Sequence, residues 1–570
     1  PVEITLENTG AARLAALRAD LLTGRIDLPG PGTVASDDAR IEWTESAALT
    51  LFKTDDDRLT SLLRTADFTG AVDASQSNAR IAARALNTEF TRTPDNRAAL
   101  TTATITRGSI SADADTPNAS PRSLAADTVR VDFNPASPDP DPTRVEATGA
   151  VRAAADGATL TADHAVAHLM RDARNQIAVR TADAAGAVRY AASDDTSAQG
   201  DTLAVNAQAE TVRITGPDSM IAQGDSTVRG PTINLDARAR RMTVEGAGRF
   251  EHTLRDAEGL PAGRVLARWA DSMRFDDALG RLNALGDVSV VSTPDAYTRD
   301  TLSAQRIEVE ITPQPMRDSV GNRASRRREL HTARAFGDSA ADSYRPATAE
   351  TRRYDPADPE RVTGLLYLEG DQITADNRAA TLRVPGAGTL LVMDRRDENA
   401  QPDEPQQDQP APNTPSTPNT LGPGLTRFTW QGAFDLDRAS GVAIMDDQVL
   451  VRHKTITPAG SAAASQIAEL STDTLTATFA ETDGADNPFT LRTADAQGSV
   501  RFLANDKQLS ADAARFEADT NTLHALALPG RLVELREPNR PAPLSARAIQ
   551  WDLARDRIEI NRPSPVTLPN

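Results

Sequence analysis

The chain has 570 residues, 81 acidic against 62 basic, a net charge of −19, 39% apolar residues, 4% aromatics and no cysteine. The absence of cysteine excludes disulfides and thiolate chemistry, the acidic balance argues against a nucleic-acid partner, and no apolar run reaches the roughly 18–20 residues of a membrane-spanning helix. With so few bulky side chains, a thin two-layer object built from repeats fits better than a thick globule.

In chain order, residues 1–34 read as the tail of a preceding β repeat. Within them Leu14, Leu17, Leu21 and Leu22 of Ala11–Leu22 sit at helical spacing and compete with the strand reading. Residues 35–255 read as a β-jellyroll repeat unit with extra small repeats. There Leu203 and Val205 alternate with polar residues, as do Val212 and Ile214, and Thr227–Phe250 places Ile233, Leu235, Met242, Val244 and Phe250 on one face. The alanine-rich Asp183–Val188 suits helix or strand, and Pro135–Pro142 reads as an exposed loop. A second unit spans 262–396, with an arginine-rich, weakly patterned loop at 313–358. Residues 397–424, dense in proline and nearly without apolar side chains, read as a disordered linker. Residues 425–570 form a third unit and the start of the next.

Repetition is the most informative signal. All four tryptophans, Trp43, Trp269, Trp430 and Trp551, follow a strand that ends in Pro-Gly or Gly-x-Gly, and each precedes an alternating strand. The Gly-x-Gly copies are Gly30-Pro31-Gly32, Gly246-Ala247-Gly248 and Gly386-Ala387-Gly388; the fourth has Pro529-Gly530. Between these landmarks a Leu-x-Ala-Asp unit recurs at 124–127, 160–163, 373–376 and 509–512. An Ala-x-Gly-x-Val strand recurs at 147–151, 182–188 and 494–500. Each small unit is a strand, a turn and a returning strand that must stack on neighbours to bury its apolar face.

Residues that carry chemistry are scattered. His164 and His168 share a face if extended, but lie about 13 Å apart at the strand rise, too far for one metal ion. Asp55-Asp56-Asp57 lacks the Gly/Asp ladder of a calcium roll and reads as a solvated loop. Acidic pairs such as Asp276-Asp277 and Asp446-Asp447 fall at turns. No nucleophile elbow, phosphate loop or metalloprotease motif occurs, so no catalytic residue, metal or cofactor is expected. Only three of the basic residues are lysine (Lys53, Lys454, Lys507). Coding bias explains this, and guanidinium contacts to lipid phosphate are the alternative.

The ordered copies, clearest in Val145–His252 and Leu491–Leu535, resemble the OstA-like repeat of the lipopolysaccharide-transport (Lpt) periplasmic bridge family. The resemblance implies an all-β fold in which antiparallel strands stack as two facing sheets, a β-taco or β-jellyroll, with an apolar inner face for acyl chains. It implies a non-enzymatic periplasmic or cell-envelope protein. Its expected partners are a lipopolysaccharide-like glycolipid and other Lpt-type jellyrolls or a second copy, met through strand edges. Leu203, Val205, Ile233, Leu235, Met242, Val244 and Phe250 are then the groove candidates, and the four tryptophans are markers of the repeat core. The competing reading is a structural or adhesive β-solenoid of the cell surface, with the same residues filling a closed core. No export signal is visible, which says little for a chain that starts at Pro1.

Overall fold

Alternating sequences satisfy their backbone groups in sheets. The computed structural model has 39 strands and no helix among the described residues. The structure describes residues 2–6, 10–36, 39–54, 58–76, 79–112, 122–137, 140–155, 157–172, 176–192, 195–256, 258–312, 330–338, 344–394, 424–455, 467–480, 490–504, 506–553 and 555–563. Two compact units divide the chain, Pro1–Gly248 and Arg249–Asn570. Strands pair antiparallel within each.

A strand such as Leu59–Gln76 serves two sheets in turn. Its residues 65–69 pair with Ser46–Lys53, and its residues 73–76 pair with Ala39–Trp43. The strands that follow, from Ala79–Arg92 to Ser226–Asp236, bend in the same way. Their pairing register slips at the bend, between Thr148 and Val151 for one pair and between Ala185 and Val188 for another. Each unit therefore has two facing sheets joined by bent strands. In unit 1, sheet I holds the halves around Phe68 and Ile214, and sheet II holds those around Val72 and Val151. Unit 2 is built likewise, with Ser272–Asp276 in its sheet I and Pro261–Trp269 in its sheet II, both paired to Arg281–Thr293.

The small repeats make the bends. A strand leaving sheet I turns on two left-handed residues: Gly149-Ala150 has φ 78° and 44°, and Gly498-Ser499 has φ 78° and 43°. The preceding strand offers its aspartate at that point, so a Cβ on Gly149 would collide with the Asp127 carboxylate and one on Gly186 with Asp163; Gly498 meets Asp473 of a Leu-Ser-Thr-Asp variant in the same way. The aspartate of Leu-x-Ala-Asp and the glycine of the next strand are thus two halves of one corner. Two copies differ. Asp376 caps the turn after its own strand, accepting from the N–H groups of Arg378 and Ala379 at 2.9 Å. Asp512 accepts from the Leu528 N–H and the Arg531 guanidinium, both at 2.8 Å.

Tryptophan marks a second kind of corner, where the strand stops and the chain restarts in the other sheet. Trp43, Trp269 and Trp430 each end a sheet II strand and are buried. Trp43 pairs with Gly32 and donates its Nε1–H to the Gly30 carbonyl at 3.0 Å; Trp430 pairs with Gly388 and donates to the Gly386 carbonyl at 3.0 Å. In Gly-x-Gly the first glycine offers a carbonyl and the second leaves room for the indole, whose ring occupies the space of its missing Cβ. Trp551 departs from this arrangement. It lies within the uninterrupted strand Leu544–Asp552, in sheet I between Leu523 and Ile558, and donates to Asp556 at 3.1 Å.

One alternative is decided and one expectation needs correction. In Ala11–Leu22 the strand reading holds over its helical competitor: Gly10–Leu14 and Arg18–Asp20 are strands, with Leu14 buried and Leu21 and Leu22 exposed. The span 313–358 is not one long loop, since Leu330–Phe336 and Ala347–Asp355 are paired strands. Asp55-Asp56-Asp57 lies outside the described residues, as do residues 397–423 of the proline-rich segment.

Candidate functional site

Side chains of a strand alternate between faces, so directly paired residues define rows across a sheet. In unit 1 one row of sheet I next to the corner runs without a break through Leu28, Ala47, Phe68, Leu86, Ile105 and Val129 to Leu203, Ile214, Ile233 and Val244. Ile105, Val129, Ile233 and Val244 are fully buried. The next row outward, two residues along each strand, includes Val205, Val212, Leu235 and Met242, and these are only half-buried. Buried residues of both sheets, including Phe68, Val72, Val151 and Ile214, form one apolar cluster.

The groove candidates accordingly fall into three groups. Leu203, Ile233 and Val244 stand in the inner row, packed at the crease. Val205, Leu235 and Met242 stand in the outer row, where an inward face still reaches solvent. Val205 and Leu235 also border an open depression of about 660 Å³, but most of its lining, including Thr181, Arg213, Asn234 and Thr243, is the outward polar face of the same strands, so it is not part of the inward face. Phe250 belongs to the strand Gly248–Arg255 and stacks on the His252 ring at 6.3 Å.

In unit 2 the corresponding outer rows line an open hollow of about 220 Å³. Val290, Leu302, Ala349 and Leu368 line it from sheet II and Leu382 from sheet I, with Asp300 at its rim. Asp300 accepts a hydrogen bond from the Thr351 hydroxyl at 2.8 Å. None of these residues was among the sequence candidates. The available signal was the Leu302-Ser303-Ala304 variant of the small repeat, which puts Leu302 on the same face as its better-conserved motif copies.

Toward higher residue numbers the outer row of unit 2 changes character. Phe275, Leu282, Leu382 and Leu436 are half-buried, whereas Ala443, Ala477, Phe516, Leu523 and Trp551 are buried. Phe502 of sheet II meets Trp551 of sheet I edge-on, ring centroids 5.6 Å apart. Lys507 lies over the same indole and pairs with Asp556, the acceptor of the Trp551 N–H. Here the facing sheets touch.

Polar groups mostly pair on the outward faces. Arg144 holds Glu146 at 2.7 Å, and His164 Nε2 lies 3.1 Å from the same carboxylate. The His164 contact, then Arg144, keeps Glu146 below the usual carboxylate range. His168 pairs instead with Arg144 and Thr181 across the sheet. His453 is an inward-facing histidine: buried beside Val451, it bonds Thr426 through Nδ1 at 2.8 Å, and burial pushes its pKa down. No group of three His, Cys, Asp or Glu side chains is placed to hold a metal among the described residues. What the geometry offers is apolar surface between polar walls.

Comparison with known proteins gives one family. The LptD_N model, described as LptA/(LptD N-terminal domain) LPS transport protein, matches residues 54–241. The bent strands of unit 1 fill this segment, and the family is the one that the repeats resemble. Among solved structures, the chain is similar to LptH, the LptA homologous periplasmic component of the conserved lipopolysaccharide transport device from Pseudomonas aeruginosa. Identity is 13%, the match covers 23% of this chain and 91% of that chain, and the TM-score is 0.17. No curated protein matched.

Proposed function

We propose that this chain, whose residues 54–241 are of the LptA/LptD N-terminal type, shields the acyl chains of a lipopolysaccharide-like glycolipid between its facing sheets in the cell envelope. One observation carries the proposal. The outer inward-facing rows are apolar yet only partly buried at Val205, Leu235, Leu302 and Leu382, beside inner rows that are packed. A folded core would close such rows; a carrier leaves them for its cargo. Each methylene taken from water contributes about 0.8 kcal/mol, so a dozen methylenes along these rows gain roughly 10 kcal/mol before entropy is subtracted. Backbone groups are already bonded in the sheets, so an acyl chain meets no unsatisfied polar group.

The same reading gives partners. Among the described residues, Val2–Leu6 in unit 1 and Arg557–Pro563 in unit 2 each pair on one side only. An open strand edge takes another jellyroll by strand addition. The competing reading, a closed structural rod, accounts for the buried inner rows and leaves the partly buried outer rows without a purpose.

Photoreactive residues decide between them. Placed at Leu302 and at Leu382, they are expected to trap the acyl chains of added lipopolysaccharide, while the neighbouring Ser303, on the opposite face, traps none. Equal labelling at Ser303, or no labelling at the two leucines, would discard the carrier.

A further inference from the structure

Seven hairpin turns whose residues are all described share one design, and the paired ends Asp552 and Arg557 repeat its spacing. Asp20–Arg25, Asn206–Thr211, Asp236–Arg241, Asp276–Arg281, Asp376–Thr381, Asp437–Val442 and Glu517–Thr522 each close a sheet I hairpin with four residues between the paired ends. In most of them the first residue caps the turn. Asp20 accepts from the Leu22 N–H at 2.9 Å, Asn206 from Ala209 at 2.9 Å and Asp236 from Ala239 at 2.7 Å. The last turn residue is left-handed in each, from Gly24 at 72° to Asn521 at 52°. This geometry asks nothing of the first two turn positions. Six of the turns place only Ala, Gln, Arg, Asp or Asn there, and the first places Leu21 and Leu22. Leu21 is 76% exposed and Leu22 85%, with Leu17 beside them at 41%.

Folding does not explain a pair of exposed leucines, because the sister turns fold without one: where a leucine does enter such a turn it is single, Leu279 at the third position of its turn, 60% exposed, and Leu553 after Asp552, partly buried. We propose that the Leu21-Leu22 turn is a membrane-contact tip, which seats two side chains in the interfacial layer of a lipid bilayer. The size of the patch selects this occupant. A stable protein partner takes roughly 800 Å² from each side, far more than two leucines and the edge of a third can offer. An interfacial layer needs only a convex tip with apolar side chains ahead of its backbone. Asp20 does not oppose insertion through bare charge, since two backbone N–H groups of the turn bond its carboxylate. Arg18, in the edge strand beside the tip, is placed to meet headgroup phosphate. A chain of net charge −19 is repelled by anionic surfaces, so zwitterionic lipid is the appropriate probe.

The test is flotation of the full chain with phosphatidylethanolamine–phosphatidylcholine vesicles. The double variant Leu21→Asn, Leu22→Arg copies the Asn377-Arg378 pair of a sister turn and is expected to melt like the parent. The parent is expected to float, the double variant to lose at least tenfold of the bound fraction, and Leu21→Trp to shift its emission to the blue on adding vesicles. Acyl trapping at Leu302 is expected to survive in the double variant, which separates failure of the tip from failure of the groove. Equal flotation of parent and double variant, no flotation of either, or a loss of self-association in place of flotation would overturn the assignment.

Discussion

At Gly149 the backbone stands at φ 78°, and the Asp127 carboxylate fills the place a Cβ would take. Gly149→Ala therefore meets two costs, the left-handed conformation of an L residue, about 1–2 kcal/mol, and a steric overlap of similar size. Gly224, at φ 53° with nothing near its Cβ position, meets only the first. Denaturant unfolding is expected to show Gly149→Ala destabilising unit 1 by about 3 kcal/mol and Gly224→Ala by about 1. In the Asp127→Ser background the difference between the two is expected to shrink. Equal effects of both alanines would mean that the aspartate is not part of the corner. The sequence shows the aspartate and glycine as separate recurring marks. It does not show that they meet, because the partner lies on the next strand, reached only once the register is known. The Trp and Gly-x-Gly motif was legible as a unit for the same reason reversed: its parts recur together, so their association needed no register.

The strand Val442–Thr455 shows both the reach and the limit of alternation as a guide. Val449 and Val451 declare its inward face, and the same period carries His453 inward, where a scan for apolar side chains passes over it. Alternation left a competitor open in one place and was hidden in another. In Ala11–Leu22 the leucines match a helix only because two strands of different sheets and their connection happen to place them so. At 313–358 arginines on outward strand positions hid the pattern: Arg334 faces Glu308 and Arg352 bonds Glu350. His453 also gives this strand a pH signature. The unfolded imidazole takes up a proton below about 6.5, while the buried ring, its pKa lowered by desolvation, stays neutral until more acidic pH. Between those two values the unfolded chain binds more protons, so the stability of unit 2 falls as pH drops below about 6.5. Urea midpoints at pH 7.5 and 5.5 are expected to fall further in the parent than in His453→Gln, which keeps a hydrogen-bonding group for Thr426 without the titration. Parallel slopes would remove His453 from the account.

Across the whole molecule, outward faces laced with Arg–carboxylate pairs keep thin sheets soluble, each exposed pair adding only about 0–1 kcal/mol. Inward rows decide what the sheets can hold. Within unit 2 the outer row passes from half-buried at Leu382 and Leu436 to buried at Phe516, Leu523 and Trp551, and Leu509 and Leu535 of sheet II become fully buried opposite them. If the groove carries acyl chains, it is blind in this region, because aromatic rings from the two sheets already occupy the gap. A photoreactive residue at Leu436 is then expected to trap lipid and one at Leu523 to trap none. Phe502→Ala removes the sheet II half of the ring contact with Trp551, at about 3–5 kcal/mol of stability. In that background, provided the melting curve still shows a folded unit 2, trapping is expected to extend toward Leu523. Lipid captured at Leu523 in the unaltered protein would mean that the ring contact is no barrier and that cargo can run past it.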